Sequence, residues 1–187
     1  MTAPGPLIVQ SDHTLLLEVE HPQYAKCRDF LVLFAELVKS PEFIHTYKVT
    51  ALSLWNAAAL ELSLEEILSG LEAFSKYPLP VNVLADIRDW HGSYGKLILR
   101  QDSPERLRLE VTQPHLLERL LNDKSLQPFW LDHSERVITV HAGERGNLKH
   151  ALVKAGYPVK DLCGYLPGKP LGVNLREIDG AGHPFTL

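Results

Sequence analysis

Apolar residues recur every three or four positions between residues 50 and 94, then at every second position from 97 to 111. That change of period predicts three helices followed by a β-hairpin. Thr50 is placed to cap the first helix, whose apolar positions are Leu52, Trp55 and Ala59. Ser63 and Glu66 form the S-x-x-E pattern of a capping box, in which the hydroxyl accepts from the Glu66 amide and the carboxylate from the Ser63 amide. The second helix then carries Leu64, Ile67, Leu68, Leu71 and Phe74 along one stripe. Tyr77-Pro78-Leu79-Pro80 stops it, because proline disfavours helix in the residue before it. Pro80 also suits the first turn of a third helix bearing Leu84, Ile87, His91 and Tyr94. Leu97 and Leu99 share one strand face, Asp102-Ser103-Pro104 turns the chain, and Leu107, Leu109 and Val111 alternate along the return.

On the N-terminal side, Leu7-Ile8-Val9 and Leu15-Leu16-Leu17 flank the turn-prone Ser11-Asp12-His13 and read as a small hairpin. A helix is expected from about Gln23 to Ser40, with Phe30, Phe34 and Val38 on one face, and then a strand from Ile44 to Val49. On the C-terminal side, Thr112 is the expected cap of a helix containing Leu116, Leu117, Leu120 and Leu121. A strand at Val137, Ile138 and Val140 follows, then a helix with Leu148, Ala151, Leu152 and Ala155, ended by Gly156 and Pro158. Leu171 to Leu175 has the composition of a last strand.

The resulting expectation is an α+β fold: a winged-helix-like lobe of three helices plus a β-hairpin, followed by a small mixed-sheet α/β lobe. The N-terminal lobe is placed at residues 1–95, the α/β lobe at 96–175 and a tail at 176–187. In a winged helix that reads DNA, the third helix enters the major groove. Here that helix carries Asp86, Arg88 and Asp89, a net negative set, so electrostatics favour its use for packing or protein docking.

An apolar fraction of 45% and a charged fraction of 22% are those of an ordinary soluble globular chain. No run of apolar residues is long enough to span a membrane, and no secretion signal begins the chain, which points to the cytoplasm and away from a membrane partner. Two distant cysteines, Cys27 and Cys163, make neither a disulfide framework nor a metal motif. The nine histidines never fall at the i, i+4 spacing of a helical zinc site. Gly143 to Asn147 lacks the Lys and Ser/Thr of a phosphate loop and reads as a strand-to-helix turn.

Net charge is −4, unevenly spread: 6 Lys and Arg face 12 Asp and Glu over residues 1–94, against 13 and 11 over residues 95–187. Any nucleic-acid contact is therefore expected in the second half. There Arg145, Lys149, Lys154 and Lys160 face only Glu144 and Asp161, and Arg145 and Lys149 lie one helical turn apart. Such side chains can neutralise successive phosphates. The same spacing also describes a solvated helix face, and only Tyr157 and Tyr165 lie near enough to stack on bases.

Several segments together resemble the N-terminal domain of bacterial DNA repair helicases of the XPB type, in superfamily 2. They are PLIVQSDHTLLLEV from Pro6, LSLWNAA from Leu52, YPLPVNV from Tyr77, YGKL from Tyr94, LKHALVKAGYP from Leu148 and DLCGY from Asp161. The resemblance implies an ATP-dependent 3′-to-5′ DNA helicase in DNA repair, with this region acting as an accessory to two ATPase lobes. ATP and magnesium would belong to those lobes, which in the family begin shortly after a segment like His183 to Leu187, so no catalytic residue is carried over. The second lobe corresponds to the region called a damage-recognition domain, which makes DNA the expected partner of Arg145, Lys149, Lys154 and Lys160, with the helicase core as a second partner. The alternative is a protein-docking module that binds a partner nuclease or the helicase core without touching DNA.

Overall fold

The computed structural model describes residues 5–164, which form two sheets, each closed over its own apolar core. The class is α+β, as expected. Strands β1 (Leu7–Val9) and β2 (Thr14–Glu18) make the N-terminal hairpin. The Asp12 carboxylate ties its turn by accepting from both the amide and the hydroxyl of Thr14, each at 3.0 Å. Leu15 and Leu17 point inward and are fully buried, the alternation that one covered face demands.

Helix α1 (Tyr24–Leu31) is shorter than expected. It ends in tight bonds from the Leu33 amide to the Phe30 carbonyl and from the Phe34 amide to the Leu31 carbonyl. Residues Glu36–Lys39 then form strand β3, antiparallel to β4 (Ile44–Lys48), in the sheet order β1-β2-β4-β3. The spacing of Phe30, Phe34 and Val38 fits a helix. However, pairing β3 with β4 satisfies a row of backbone groups that a longer helix would leave open, and Val38 stays exposed.

Three helices follow: α2 (Ala51–Ala59), α3 (Leu64–Phe74) and α4 (Val81–Ser93). Two of them open with capping boxes. Thr50 and Ser53 exchange side-chain-to-amide bonds at 3.0 Å, and Ser63 and Glu66 do so at 2.9 and 3.2 Å. On α2 the buried positions are Ser53, Leu54, Trp55 and Ala57. Leu52 and Ala59 line an open cleft. Helix α4 buries Val83 and Ile87, and its His91 Nε2 donates to the Leu62 carbonyl at 2.8 Å.

The hairpin of β5 (Leu97–Gln101) and β6 (Arg106–Val111) follows these helices in sequence, but its apolar face belongs to the second core. Leu97, Leu99, Leu107, Leu109 and Val111 meet Leu116, Leu117 and Leu120 of α5 (Pro114–Asn122), together with Leu148 and Leu152 of α6 (Arg145–Lys154). Strands β7 (Trp130–His133), β8 (Val137–His141) and β9 (Val159–Asp161) complete a mixed sheet ordered β7-β8-β6-β5-β9, in which only the β5–β9 pair is parallel among the described strands. The N-cap of α5 is Gln113, not Thr112, and Pro114 takes the first helical position. The Thr112 hydroxyl donates instead to the Lys96 carbonyl at 3.1 Å, tying the two ends of the hairpin together. The strand expected at Leu171 to Leu175 and the tail at 176–187 lie outside the described residues.

Replacing Ser63 with Ala removes the acceptor for the Glu66 amide and lowers unfolding free energy by about 1 kcal/mol. The urea midpoint reads this directly; an unchanged midpoint contradicts the role given to the cap.

Candidate nucleic-acid interface

Burial of Leu148 and Leu152 against the second sheet turns the Arg145–Lys149 edge of α6 toward β9. Asp161 meets it there. The Arg145 Nε and Nη2 donate to the two Asp161 oxygens at 2.9 Å each, a fork-to-fork pair, and Lys149 Nζ lies 2.8 Å from Oδ2. The Cys163 amide adds a bond to Oδ1 at 3.1 Å, and Arg145 Nη1 reaches the Gly164 carbonyl at 2.7 Å. The Asp161 side chain is only 10% exposed. Burial pushes its carboxyl upward, but the hydrogen bonds from Arg145, Lys149 and Cys163 outweigh burial and hold it well below the usual carboxylate range.

Sequence reasoning placed Arg145 and Lys149 on a DNA-facing surface; in the structure they share one carboxylate. Both also line a cleft of about 330 Å³, whose opposite wall is Leu52, Trp55 and Asn56 of α2, with Tyr94 at its end. Trp55 is fixed there by its indole N–H, which donates to Ser93 Oγ at 2.8 Å. Two cations against one carboxylate leave this cleft mildly positive.

Lys154 and Lys160 sit apart from that pair. Lys154 is exposed on α6 beside a broad cleft that also holds Asp123, Phe129 and His150. Lys160 points to solvent from β9, between Val159 and Asp161, in register with Ile98. The same open sheet face carries further cations that the sequence reading did not single out. Arg100 and Arg108 reach the Glu110 carboxylate at 3.2 Å each, and Arg106 is exposed two residues before Arg108. Their signal was present in the alternation Arg106-Leu107-Arg108-Leu109-Glu110, in which leucines enter the core and charges face out. Asp161 had no comparable local signal, because its partners lie 12 and 16 residues away in sequence.

The acidic helix α4 is partly tied down: Asp86 bonds His13 Nε2 at 2.8 Å, and the His13 ring lies 4.8 Å from that of Trp90. Neither thiol is primed as a nucleophile. Burial pushes Cys27 up to about 12, and burial aided by the neighbouring Asp161 pushes Cys163 up to about 11. The Gly143 turn is closed on itself, its amide donating to His141 Nδ1 at 3.1 Å, and does not form a phosphate loop. Among the described residues no group of three or more His, Cys, Asp or Glu could hold a metal, and no helix is long and apolar enough to cross a membrane. What this surface can do chemically is bind anions.

Residues 7–135 match the family described as the helicase conserved C-terminal domain. The chain belongs to that helicase family. Helicase relatives extend the likeness over nearly all of it. DNA 3'-5' helicase XPB of Kineococcus radiotolerans is 41% identical over 182 residues, 97% of this chain and 33% of that protein. The protein of the same name from Mycobacterium tuberculosis is 38% identical over 184 residues, 98% of this chain and 31% of that protein. The general transcription and DNA repair factor IIH helicase/translocase subunit XPB of Drosophila melanogaster is 36% identical over 132 residues, 70% of this chain and 16% of that protein. The chain thus spans about a third of the length of its bacterial helicase relatives. These matches support an XPB-type helicase region, while the helicase family itself is described by a C-terminal domain and not an N-terminal one.

Asp161→Asn removes the charge that both cations share. Because those cations keep some access to water, the cost is about 2 kcal/mol at pH 7. A carboxyl held low in the native state stabilises fully above its unfolded pKa, and that stability fades as pH falls below about 4. Urea unfolding from pH 3 to 7 should show the gap between wild type and variant narrowing on the acid side. A constant gap contradicts the charge-based account.

Proposed function

We propose that this chain is the accessory region of an XPB-like ATP-dependent 3′-to-5′ DNA helicase acting in DNA repair, placed N-terminal to the motor. In this reading it contacts DNA through its second half and regulates the ATPase core. The observation that carries the reading is the 41% identity to DNA 3'-5' helicase XPB over 97% of the chain. The cations of the second sheet and α6 support it: Lys154 and Lys160 reach solvent freely, and Arg100, Arg106 and Arg108 stand on an uncovered sheet face. In this reading ATP and magnesium belong to the motor, and no step of hydrolysis is assigned to the residues described here.

A second reading, a docking module for the helicase core or a partner nuclease, has its own support. Leu37 and Val38 on edge strand β3, together with Val32, Leu33, Phe43 and Ile44 nearby, are all more than 40% exposed. Apolar groups gathered along an unpaired strand edge favour a protein partner.

The two readings part on salt. DNA contact predicts measurable affinity for a forked duplex at low ionic strength, falling steeply as salt is added. Replacing Lys154 and Lys160 with Ala together should flatten the slope of log K against log salt by about 2. No affinity at low salt gives the case to docking.

A further inference from the structure

A smaller cleft, about 170 Å³, opens where the end of α4, the start of β5, the first turns of α5 and the α6–β9 turn converge. Lys96, His115, Arg119 and Tyr157 line it, with Ser93 and Gln113 among the other lining residues. Its described lining contains no carboxylate. Other clefts each contain one or more: Asp161 beside α2, Asp123 beside Lys154, Glu18 and Glu20 near the N-terminal hairpin, Glu65 and Glu72 on α3. No described carboxylate pairs with Lys96 or Arg119 either, whereas Arg145, Lys149, Arg100 and Arg108 are all so paired.

The walls of this cleft are fixed by backbone. Gly95, at φ 84°, makes the turn from α4 that delivers Lys96, and Gly156, at φ 85°, makes the turn that delivers Tyr157; both angles are strained for any residue with a Cβ. The Lys96 carbonyl accepts from the Thr112 amide at 3.0 Å, and the Tyr157 amide donates to the Leu152 carbonyl at 2.8 Å. The Arg119 guanidinium lies 5.6 Å from the Tyr157 ring centre, so an aromatic face holds it where an acid otherwise would. Cations of one sign in a concave site focus their field on whatever anion enters. The volume is well below that of a pocket for a nucleotide or drug-sized ligand, and suits a single small anionic group.

From this we infer that the Lys96–His115–Arg119 cleft binds one phosphate group, supplied by the DNA backbone. The phosphate chemistry stands on the cleft itself, while its source rests on the function proposed above. Contacts of this kind position a duplex without reading its sequence. The test is fluorescence anisotropy of a labelled forked duplex, from 50 to 200 mM salt, with the wild-type chain, Lys96→Gln/Arg119→Gln and, as a charge-matched control in the first half, Lys26→Gln/Lys39→Gln. Phosphorus NMR of inorganic phosphate with the same proteins supplies the second arm, and matching far-UV circular dichroism shows that each variant is folded. The expected result is an affinity for DNA about tenfold weaker in the Lys96/Arg119 variant, with a salt slope reduced by about 1, and little change in the control. DNA binding by wild type with the same affinity and slope in the Lys96/Arg119 variant overturns the inference and leaves the proposed function intact. If wild type binds no DNA, the proposed function fails instead. In that case, phosphate line broadening that disappears in the Lys96/Arg119 variant keeps the phosphate site with a free ligand, and absence of broadening overturns it.

Discussion

One carboxylate engages two cations of the second half and ties two of its elements together. Asp161, nearly buried, accepts from Arg145, Lys149 and the Cys163 amide, and so binds β9 to α6. An exposed ion pair is worth little, because water screens it and flexible side chains must be ordered. A buried carboxylate held by a two-pronged guanidinium is different, since removing it strands two cations beside a sheet edge. One of the two positive charges at Arg145 and Lys149 is therefore balanced by Asp161, in a contact that also holds the fold. Lys154, Lys160 and the cleft at Lys96 and Arg119 keep theirs.

The β5–β6 hairpin carries the second constraint. Its leucines alternate with arginines, so the strand that builds the second core also presents charge on its other face. Helices α5 and α6 cover the apolar side, and no described helix covers the charged one. Core packing and exposed charge are thus divided between two faces of the same strands. The first half contrasts with this: it is acidic, Asp86 is bound to His13, and Leu37 and Val38 of β3 are exposed apolar groups. A polyanion and a protein surface suit different halves of the chain.

What could be read from sequence was what depends on neighbours a few residues apart. The Ser63–Glu66 box, the turn at Asp102 to Pro104 and the alternation through Val111 each need only local spacing, and each is present. Where two local solutions competed, the reading failed. Phe30, Phe34 and Val38 suit a helix, yet β4 required a partner strand and took residues Glu36–Lys39. Leu52, Trp55 and Ala59 form a helical stripe, but periodicity does not say what the stripe faces, and Leu52 and Ala59 face a cleft and not the core. The site suffered most from this limit. Asp161 pairs across a helix and a turn, and Lys96, Arg119 and Tyr157 converge from three elements, so nothing in their spacing announced them.

The proposed function requires the second half of this chain to hold a nucleic-acid backbone and the first half not to. Amide proton–nitrogen NMR spectra of the chain, recorded with and without a forked duplex at low salt, test it most directly. The account predicts shifts gathered at residues 96–119 and 145–161, with the strands and helices before residue 90 left almost unchanged. Shifts confined to the first half, or spectra that DNA leaves untouched, would contradict it.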